Sequence, residues 1–291
     1  MNEILLQALS GLASAAVLFL VASGFTLVFG ALRIVNFAHG SLYMLGAFIA
    51  MSLSDYLGPG NWTFWLAVIA AALAVAVVGA LIEWLCLRHV YDRAIVIQLL
   101  VTFGLVMIIG GFVRGVWGSA PRQTTIPPFL DGGVPLLGHF YPTYSLFLIA
   151  VGALTVAVLW FIMNRTSLGR LIRGALDDRK LLEMVGVDVP RLFTGVFVLG
   201  AFFAGLAGAL VTPQQTIAVG LDLDVIVSAV VVVVIGGLGS IAGALVGALM
   251  VGVTTAVSLI WLPPAWSPII MFGLLVVVLA VRPQGLFGRV R

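Results

Sequence analysis

The chain has 291 residues, of which 62% are hydrophobic and only 9% charged, with a formal net charge of +3. Apolar runs of about 20 residues recur along it, which excludes a soluble globular domain, and their unbroken Val, Leu and Ala character excludes a barrel of short alternating strands. Only helices or closed barrels satisfy their backbone hydrogen bonds in hydrocarbon, so the composition predicts an all-α polytopic membrane protein, one transmembrane domain spanning 1–291.

In chain order, the predicted spans are about 6–30, a short one at 40–54, then 62–87, 94–113, 143–163, 191–211, a second short one at 223–235, 241–261 and 266–282. Nine segments fall within an expected range of about 8–10 transmembrane or half-spanning helices. The first run is longer than a signal-peptide core and no Lys or Arg precedes Arg33, so it is expected to be retained. The single cysteine, Cys86, allows no internal disulfide and is assigned to packing.

Loop charges set the expected orientation, because cytoplasmic loops collect Lys and Arg. With the segment 164–191 placed inside, Arg33, Arg88, Arg93, Arg165, Arg170, Arg173, Arg179, Lys180, Arg191, Arg282, Arg289 and Arg291 are cytoplasmic, and only Arg114 and Arg122 are outside. The same topology puts Trp62, Trp117, Trp261 and Trp266 at the outer interface and Trp84 and Trp160 at the inner one, as aromatic belts require. The N-terminus is then extracytoplasmic, the C-terminus cytoplasmic, and the Pro-rich loop 114–142 an outer lid or receptor contact.

Each short span is bordered by residues that interrupt a helix: Asn36-Phe-Ala-His-Gly-Ser41 before the first, Gly236-Gly-Leu-Gly-Ser240 after the second. Irregular backbone at membrane depth is tolerated only when buried in protein or lining a cavity, and paired interruptions point to a translocation site. Asn36, His39, Gly40, Gly236, Gly237 and Gly239 are therefore candidate pathway residues. Tight helix packing through small residues is the competing explanation, and Gly243-Ala-Leu-Val-Gly247 is a pattern that permits it.

Ion-coupled carriers need ionisable groups within the membrane, and few are present. Asp55, Asp131, Asp222 and Asp224 are expected at or beyond the outer ends of spans. Glu83 alone lies within one, beside Trp84 and five residues before Arg88, where snorkelling or pairing at the inner interface accounts for it. Interhelical hydrogen bonds are expected for Asn36, Gln98 and Thr102, and His39 lacks the partners of a metal site. The one lysine, Lys180, follows Arg179, so no Gly-x-x-x-x-Gly-Lys-Ser/Thr phosphate loop exists, and no His-Glu-x-x-His or Gly-x-Ser-x-Gly motif occurs. No catalytic residue, metal, cofactor or nucleic-acid partner is expected, and any ATP is bound by another polypeptide.

The long charged segment 164–191 stands between two membrane-length runs and reads as a docking surface of two short helices. The first, Leu168 to Leu176, is capped by Thr166 or Ser167. The second, Arg179 to Val185, is capped by Asp177 or Asp178 and ended by Gly186, with Pro190 preventing extension. Acids interleaved with Arg and Lys suit a protein partner better than a lipid surface.

At these residues the chain resembles the permease subunits of bacterial branched-chain amino acid importers driven by ATP, of the leucine/isoleucine/valine type. The resemblance rests on Gly24-Phe-Thr-Leu-Val-Phe-Gly30, Asn36-Phe-Ala-His-Gly40, Gly169-Arg-Leu-Ile-Arg-Gly-Ala-Leu-Asp-Asp178 running into Val185-Gly-Val187, Gly200-Ala-Phe-Phe-Ala-Gly-Leu-Ala-Gly208, Gly236-Gly-Leu-Gly-Ser240 and Arg282-Pro-Gln-Gly-Leu-Phe-Gly288. It implies a multi-pass protein of the bacterial inner membrane, a second homologous permease forming a heterodimer, two cytoplasmic ATPase subunits, and an extracytoplasmic solute-binding protein. It also implies that 164–191 holds the coupling helices seated in the ATPase, with Gly169, Arg170, Arg173, Ala175, Asp177, Asp178, Glu183 and Gly186 as the matching positions. Leu181-Leu-Glu183 departs from the family pattern. Similar permeases carry urea, amides, other amino acids, aromatic acids or sugars. The competing reading is a self-sufficient channel or secondary carrier, for which 164–191 is only a linker.

Overall fold

The computed structural model describes residues 2–136, 138–177 and 179–288. In chain order the helices are α1 (Asn2–Leu32), α2 (Ala38–Leu57), α3 (Asn61–Leu85), α4 (Ile95–Trp117), α5 (Thr143–Arg165), α6 (Ser167–Asp177), α7 (Arg179–Met184), α8 (Val189–Val211), α9 (Leu221–Gly236), α10 (Ile241–Ser258) and α11 (Ser267–Val281). Among the described residues seven helices are long and apolar enough to cross a membrane. Of the four that fall outside that set, α6 and α7 lie in the charged segment, and α2 and α9 are the short spans expected from the sequence, although α2 runs to 20 residues rather than the predicted 15.

Burial divides the bundle into a centre and a rim. Every residue of α2 from Ala38 to Phe48 is buried, and α1 is continuously buried from Phe19 to Val28. By contrast α11 buries only Met271 and Val278, and α4 and α5 present Leu100, Ile108, Phe112, Leu154 and Phe161 outward. In lipid no hydrophobic force drives helices together, so the centre is assembled through small residues that let backbones approach. A Cβ on Gly46 would stand 2.5 Å from the Gly205 carbonyl oxygen of α8, and one on Gly11 2.7 Å from Val253 Cα of α10. Gly79 of α3 meets Ala201, and Gly205 meets Val75, so α8 is clasped between α2 and α3.

One end of the bundle is tied by polar and aromatic contacts. Tyr144 donates to the Leu210 carbonyl at 2.6 Å, and Arg122 and Ile217 exchange backbone hydrogen bonds at 2.9 and 2.7 Å. The segment expected to be a loop over 114–142 is shorter and more ordered than that. α4 continues through Trp117, whose indole donates to Ser52 of α2, and an antiparallel hairpin of β1 (Gly133–Leu136) with β2 (His139–Pro142) leads into α5. The hairpin was not legible as strand because Pro135 and Pro142 break the alternating pattern that would have marked it.

Replacing Gly46 by Ala is expected to lower the melting temperature in detergent by an overpacking cost of about 1–3 kcal/mol, since its contact is backbone and cannot yield. Gly110→Ala in α4, where nothing lies within 4 Å of the added methyl, is the control and should leave it unchanged or slightly raised.

Candidate functional site

α1 ends at Leu32, and Arg33 takes a left-handed conformation with φ of 57° as the chain doubles back. Asn36 Oδ1 accepts from the Ala38 amide at 3.1 Å, satisfying one first-turn donor of an α2 terminus buried among other helices. His39, one residue further, meets the Val21 carbonyl through Nε2 at 3.1 Å and sits edge-on to Phe25. Gly24 makes room for this ring: an added Cβ there would lie 3.0 Å from His39 Cε1 and 2.6 Å from the Gly200 carbonyl oxygen. Gly24 is eight residues before the end of α1, about 12 Å along its axis, so α2 begins inside the bundle. Three of the quoted motifs thus converge on one point. The hydroxyl of Thr26 and the amide nitrogen of Asn36, both in buried residues, have no protein partner.

The strongest polar contact at this point involves residues placed elsewhere by sequence reasoning. Ser41 Oγ donates to Asp222 Oδ2 at 2.9 Å, joining the first turn of α2 to the first turn of α9. Asp222 is only 5% exposed, and Gly40 packs on its main-chain carbonyl. Asp222 thus stands at the end of its helix, as the sequence places it, but is packed there against α2. Its partner is 181 residues away, and no local pattern announces the pairing.

The second interruption lies at the other end of α9. Gly237 and Gly239 adopt φ of 99° and 84°, and Ser240 caps α10 by accepting from the Gly243 amide at 3.0 Å. Gly236 and Gly243 touch backbone to backbone, so α9 and α10 form a close antiparallel pair. The carbonyls of Ile235 and Gly236 accept from the amides of Leu286 and Phe287, both at 2.9 Å. The Arg282-to-Gly288 motif is thus a cap for α9, and a Cβ on its Gly285 would meet Val234 and Gly237 at 2.6 Å. Both candidate pathway groups are packed against α1: His39 on Val21 and Gly24, Gly239 on Gly30. Ser240 thus restarts a helix after the second interruption, whereas Ser41 lies inside α2 and turns its hydroxyl to Asp222.

The segment 164–191 folds as the two expected short helices. Thr166 Oγ1 accepts from the Gly169 amide at 3.4 Å, and Gly169 lies so close to Met163 that a side chain there would strike backbone. Arg173 donates to the Met163 carbonyl, while Ile172 and Ala175 are buried. α7 ends in a left-handed glycine: the Val187 amide reaches the Leu182 carbonyl at 3.1 Å and the Gly186 amide that of Glu183 at 3.1 Å, with φ of 86° at Gly186. Asp188 then caps α8 through the Arg191 amide. Of the candidate coupling residues, Gly169, Arg173 and Ala175 build the segment, and Arg170, Glu183 and Gly186 are exposed. Leu181, Met184 and Val185 are exposed as well, Met184 by 79%, an apolar patch sequence reasoning did not single out. Asp178 lies outside the described residues, as does the side chain of Asp177.

Glu83, expected to snorkel or pair at the interface, is 1% exposed and accepts from Tyr91 at 2.6 Å and from Thr194 of α8 at 2.7 Å. Gln98 donates to the carbonyls of Tyr91 and Arg93, and Thr102 to Leu99 in its own helix, so these hydrogen bonds do not join two membrane helices. A cavity of about 330 Å³ opens between Asp55, Thr63, Gln123 and Pro127 and includes none of the candidate pathway residues. Among the described residues no group of three His, Cys, Asp or Glu side chains could hold a metal.

Over residues 7–279 the chain matches the family described as branched-chain amino acid transport system, permease component. It is 28% identical to the high-affinity branched-chain amino acid transport system permease protein LivH of Escherichia coli K12, over 97% of this chain and 95% of the relative. It is 31% identical to the corresponding protein BraD of Pseudomonas aeruginosa, with the same coverage. Among solved structures it is similar to PsaBC from Streptococcus pneumoniae in complex with Fab, at a TM-score of 0.50 and 13% identity over 94% of this chain and 91% of that one, which supports the fold alone.

Ser41→Ala leaves the buried Asp222 carboxylate without its hydroxyl donor and is expected to destabilise by about 1–3 kcal/mol. Thermal melts of Ser41→Ala, Asp222→Asn and the double variant should show a non-additive coupling; strict additivity would mean the pair carries no interaction.

Proposed function

The chain belongs to the family of branched-chain amino acid transport permease components, and we propose that it forms the membrane pathway of an ATP-driven importer in which the 164–191 segment seats in the ATPase. As the permease component it is a multi-pass membrane protein, and ATP hydrolysis falls to a separate subunit. The observation that carries the coupling reading is the construction of α6 and α7. Gly169 and Arg173 fasten α6 to the end of α5, and the glycine turn at Gly186 with the Asp188 cap joins α7 to α8. A rigid element joined at both ends to membrane helices converts a partner's movement into a shift of the inward/outward equilibrium without chemistry of its own. The exposed Leu181, Met184 and Val185 supply an apolar centre, and Arg170 and Glu183 a charged rim, as a protein contact requires.

The same reading places 164–191 and Arg282 in the cytoplasm of a bacterial cell, the N-terminus and the hairpin of β1 and β2 outside the inner membrane, and the outer end of the bundle against a solute-binding protein. A second homologous permease completes the pathway, and two ATPase subunits drive it. Branched-chain amino acids are the proposed cargo, supported by the names under which the relatives are described. Specificity is then set largely by the binding protein, and the interior of this subunit, almost free of ionisable groups, passes the solute on.

Met184→Asp changes an exposed side chain without disturbing the helix, and Gly186→Arg adds a left-handed strain of about 1–2 kcal/mol at the turn. Co-purification in mild detergent should recover an ATPase with the unaltered chain and lose it with either variant, while membrane insertion stays normal and ATP-dependent leucine uptake falls at least tenfold. Uptake by the chain alone in vesicles without ATP would overturn the importer reading in favour of a self-sufficient carrier.

A further inference from the structure

The importer reading gives no task to Glu83, a carboxylate buried in the last turn of α3. Its two oxygens serve different elements. Oε1 accepts from the hydroxyl of Tyr91, in the connection between α3 and α4, and Oε2 from the hydroxyl of Thr194, within the first two turns of α8. Tyr91 also lies edge-on to Phe193, with ring centroids 5.7 Å apart, and Gln98 of α4 donates to its carbonyl. A buried carboxylate that loses a donor keeps the full cost of its desolvation, so the ends of α3, α4 and α8 are gathered around one side chain.

Thr194 is the part of this contact that is able to open. Its one hydroxyl proton has two acceptors in reach, Glu83 Oε2 at 2.7 Å and the Pro190 carbonyl, one turn back in its own helix, at 3.1 Å. When α8 parts from Glu83 the hydroxyl keeps a partner, and when α8 returns the shorter bond re-forms. Position gives the exchange a consequence. Thr194 stands eight residues after Gly186 and six after Asp188, the turn and the cap that join α7 to α8, so displacement of the 164–191 segment reaches it through a short length of helix. Deeper along the same seam, Gly79 against Ala201 and Val75 against Gly205 fasten α3 to α8 by close packing. The bond at Glu83 is the releasable end of a seam that is otherwise fixed.

We propose that Glu83 and Thr194 form a latch that holds the start of α8 against α3 in one of the two states of the transport cycle, and that movement of the coupling segment opens it. This inference rests on the importer reading above and deepens it by naming the point at which the segment's motion enters the bundle. Glu83 is then a positioning residue that acts through α8, and Tyr91 keeps the carboxylate aimed while the latch is open. Loss of one such hydrogen bond shifts a two-state equilibrium about tenfold, enough to release ATP hydrolysis from its dependence on cargo.

The test uses the complete importer, permeases with ATPase and binding protein, in proteoliposomes with radiolabelled leucine. Thr194→Val keeps the branched shape and removes the hydroxyl. It is expected to raise ATP hydrolysis without binding protein about threefold or more, and to lower the leucine moved per ATP by a similar factor. Glu83→Gln still accepts from Tyr91 and, with the Thr194 proton turned to the Pro190 carbonyl, donates to Thr194, so both quantities should stay within about twofold of the unaltered importer. Unchanged hydrolysis and unchanged leucine per ATP in Thr194→Val, with only a lower melting temperature, would make the contact a static staple and overturn the proposal. Equal defects in Glu83→Gln and Thr194→Val would overturn it too, since the charge and not the bond would then be what acts. Where Thr194→Val does not assemble, Tyr91→Phe decides: a smaller shift of both quantities in the same direction supports the latch, and no shift sinks it. If the unaltered importer moves no leucine on addition of ATP, the importer reading itself fails and this inference with it.

Discussion

In hydrocarbon every backbone N–H and C=O must find its partner within the protein, and the architecture follows from how this chain meets that demand where its helices stop short. α2 and α9 both begin or end where water cannot serve. The start of α2 is met by the Asn36 side chain, and the end of α9 by the amides of Leu286 and Phe287. Ser41 and Asp222 then pin the two short helices together, so that α9 runs from the buried start of α2 to the glycine turn beside Gly30 of α1. Remove any of these local solutions and a short helix at depth leaves unmet polar groups, each costing several kcal/mol in lipid.

Around this frame the work is divided by side-chain size. Glycine and alanine dominate where α1, α2, α8 and α10 approach, and large aliphatic side chains dominate where α4, α5 and α11 face outward. The same contrast separates the two ends of the charged segment: Gly169 is fixed by a backbone neighbour, whereas Gly186 has open space around it and is needed for its positive φ. One glycine is there for closeness, the other for a conformation.

Much of this was legible in the sequence because it is written locally. Apolar runs of membrane length gave the spans, two weak spans gave α2 and α9, and Gly186 followed by Pro190 gave the end of α7 to within a residue. What escaped was long-range. Asp222 read as an end-of-span carboxylate, which its place in the first turn of α9 matches, but nothing near it names Ser41 as its partner. Glu83 read as a snorkelling or interfacially paired group, yet its partners are Tyr91 and Thr194, the latter 111 residues away. The Arg282-to-Gly288 motif was visible as a pattern, but its role as a cap appears only when α9 and the residues after α11 are brought side by side. The apolar patch on α7 was hidden for a different reason: in a chain this hydrophobic, a Leu, a Met and a Val carry no contrast.

The cap on α9 also bears on how the protein is made. Its two donors stand about fifty residues downstream of the carbonyls they satisfy, with α10 and α11 in between. During synthesis α9 is therefore threaded into the bilayer with an unfinished C-terminal end, and hairpin formation with α10 cannot complete it. Final closure waits until α11 has crossed and turned its trailing segment back, which makes assembly of this half of the bundle a single late event instead of a helix-by-helix addition.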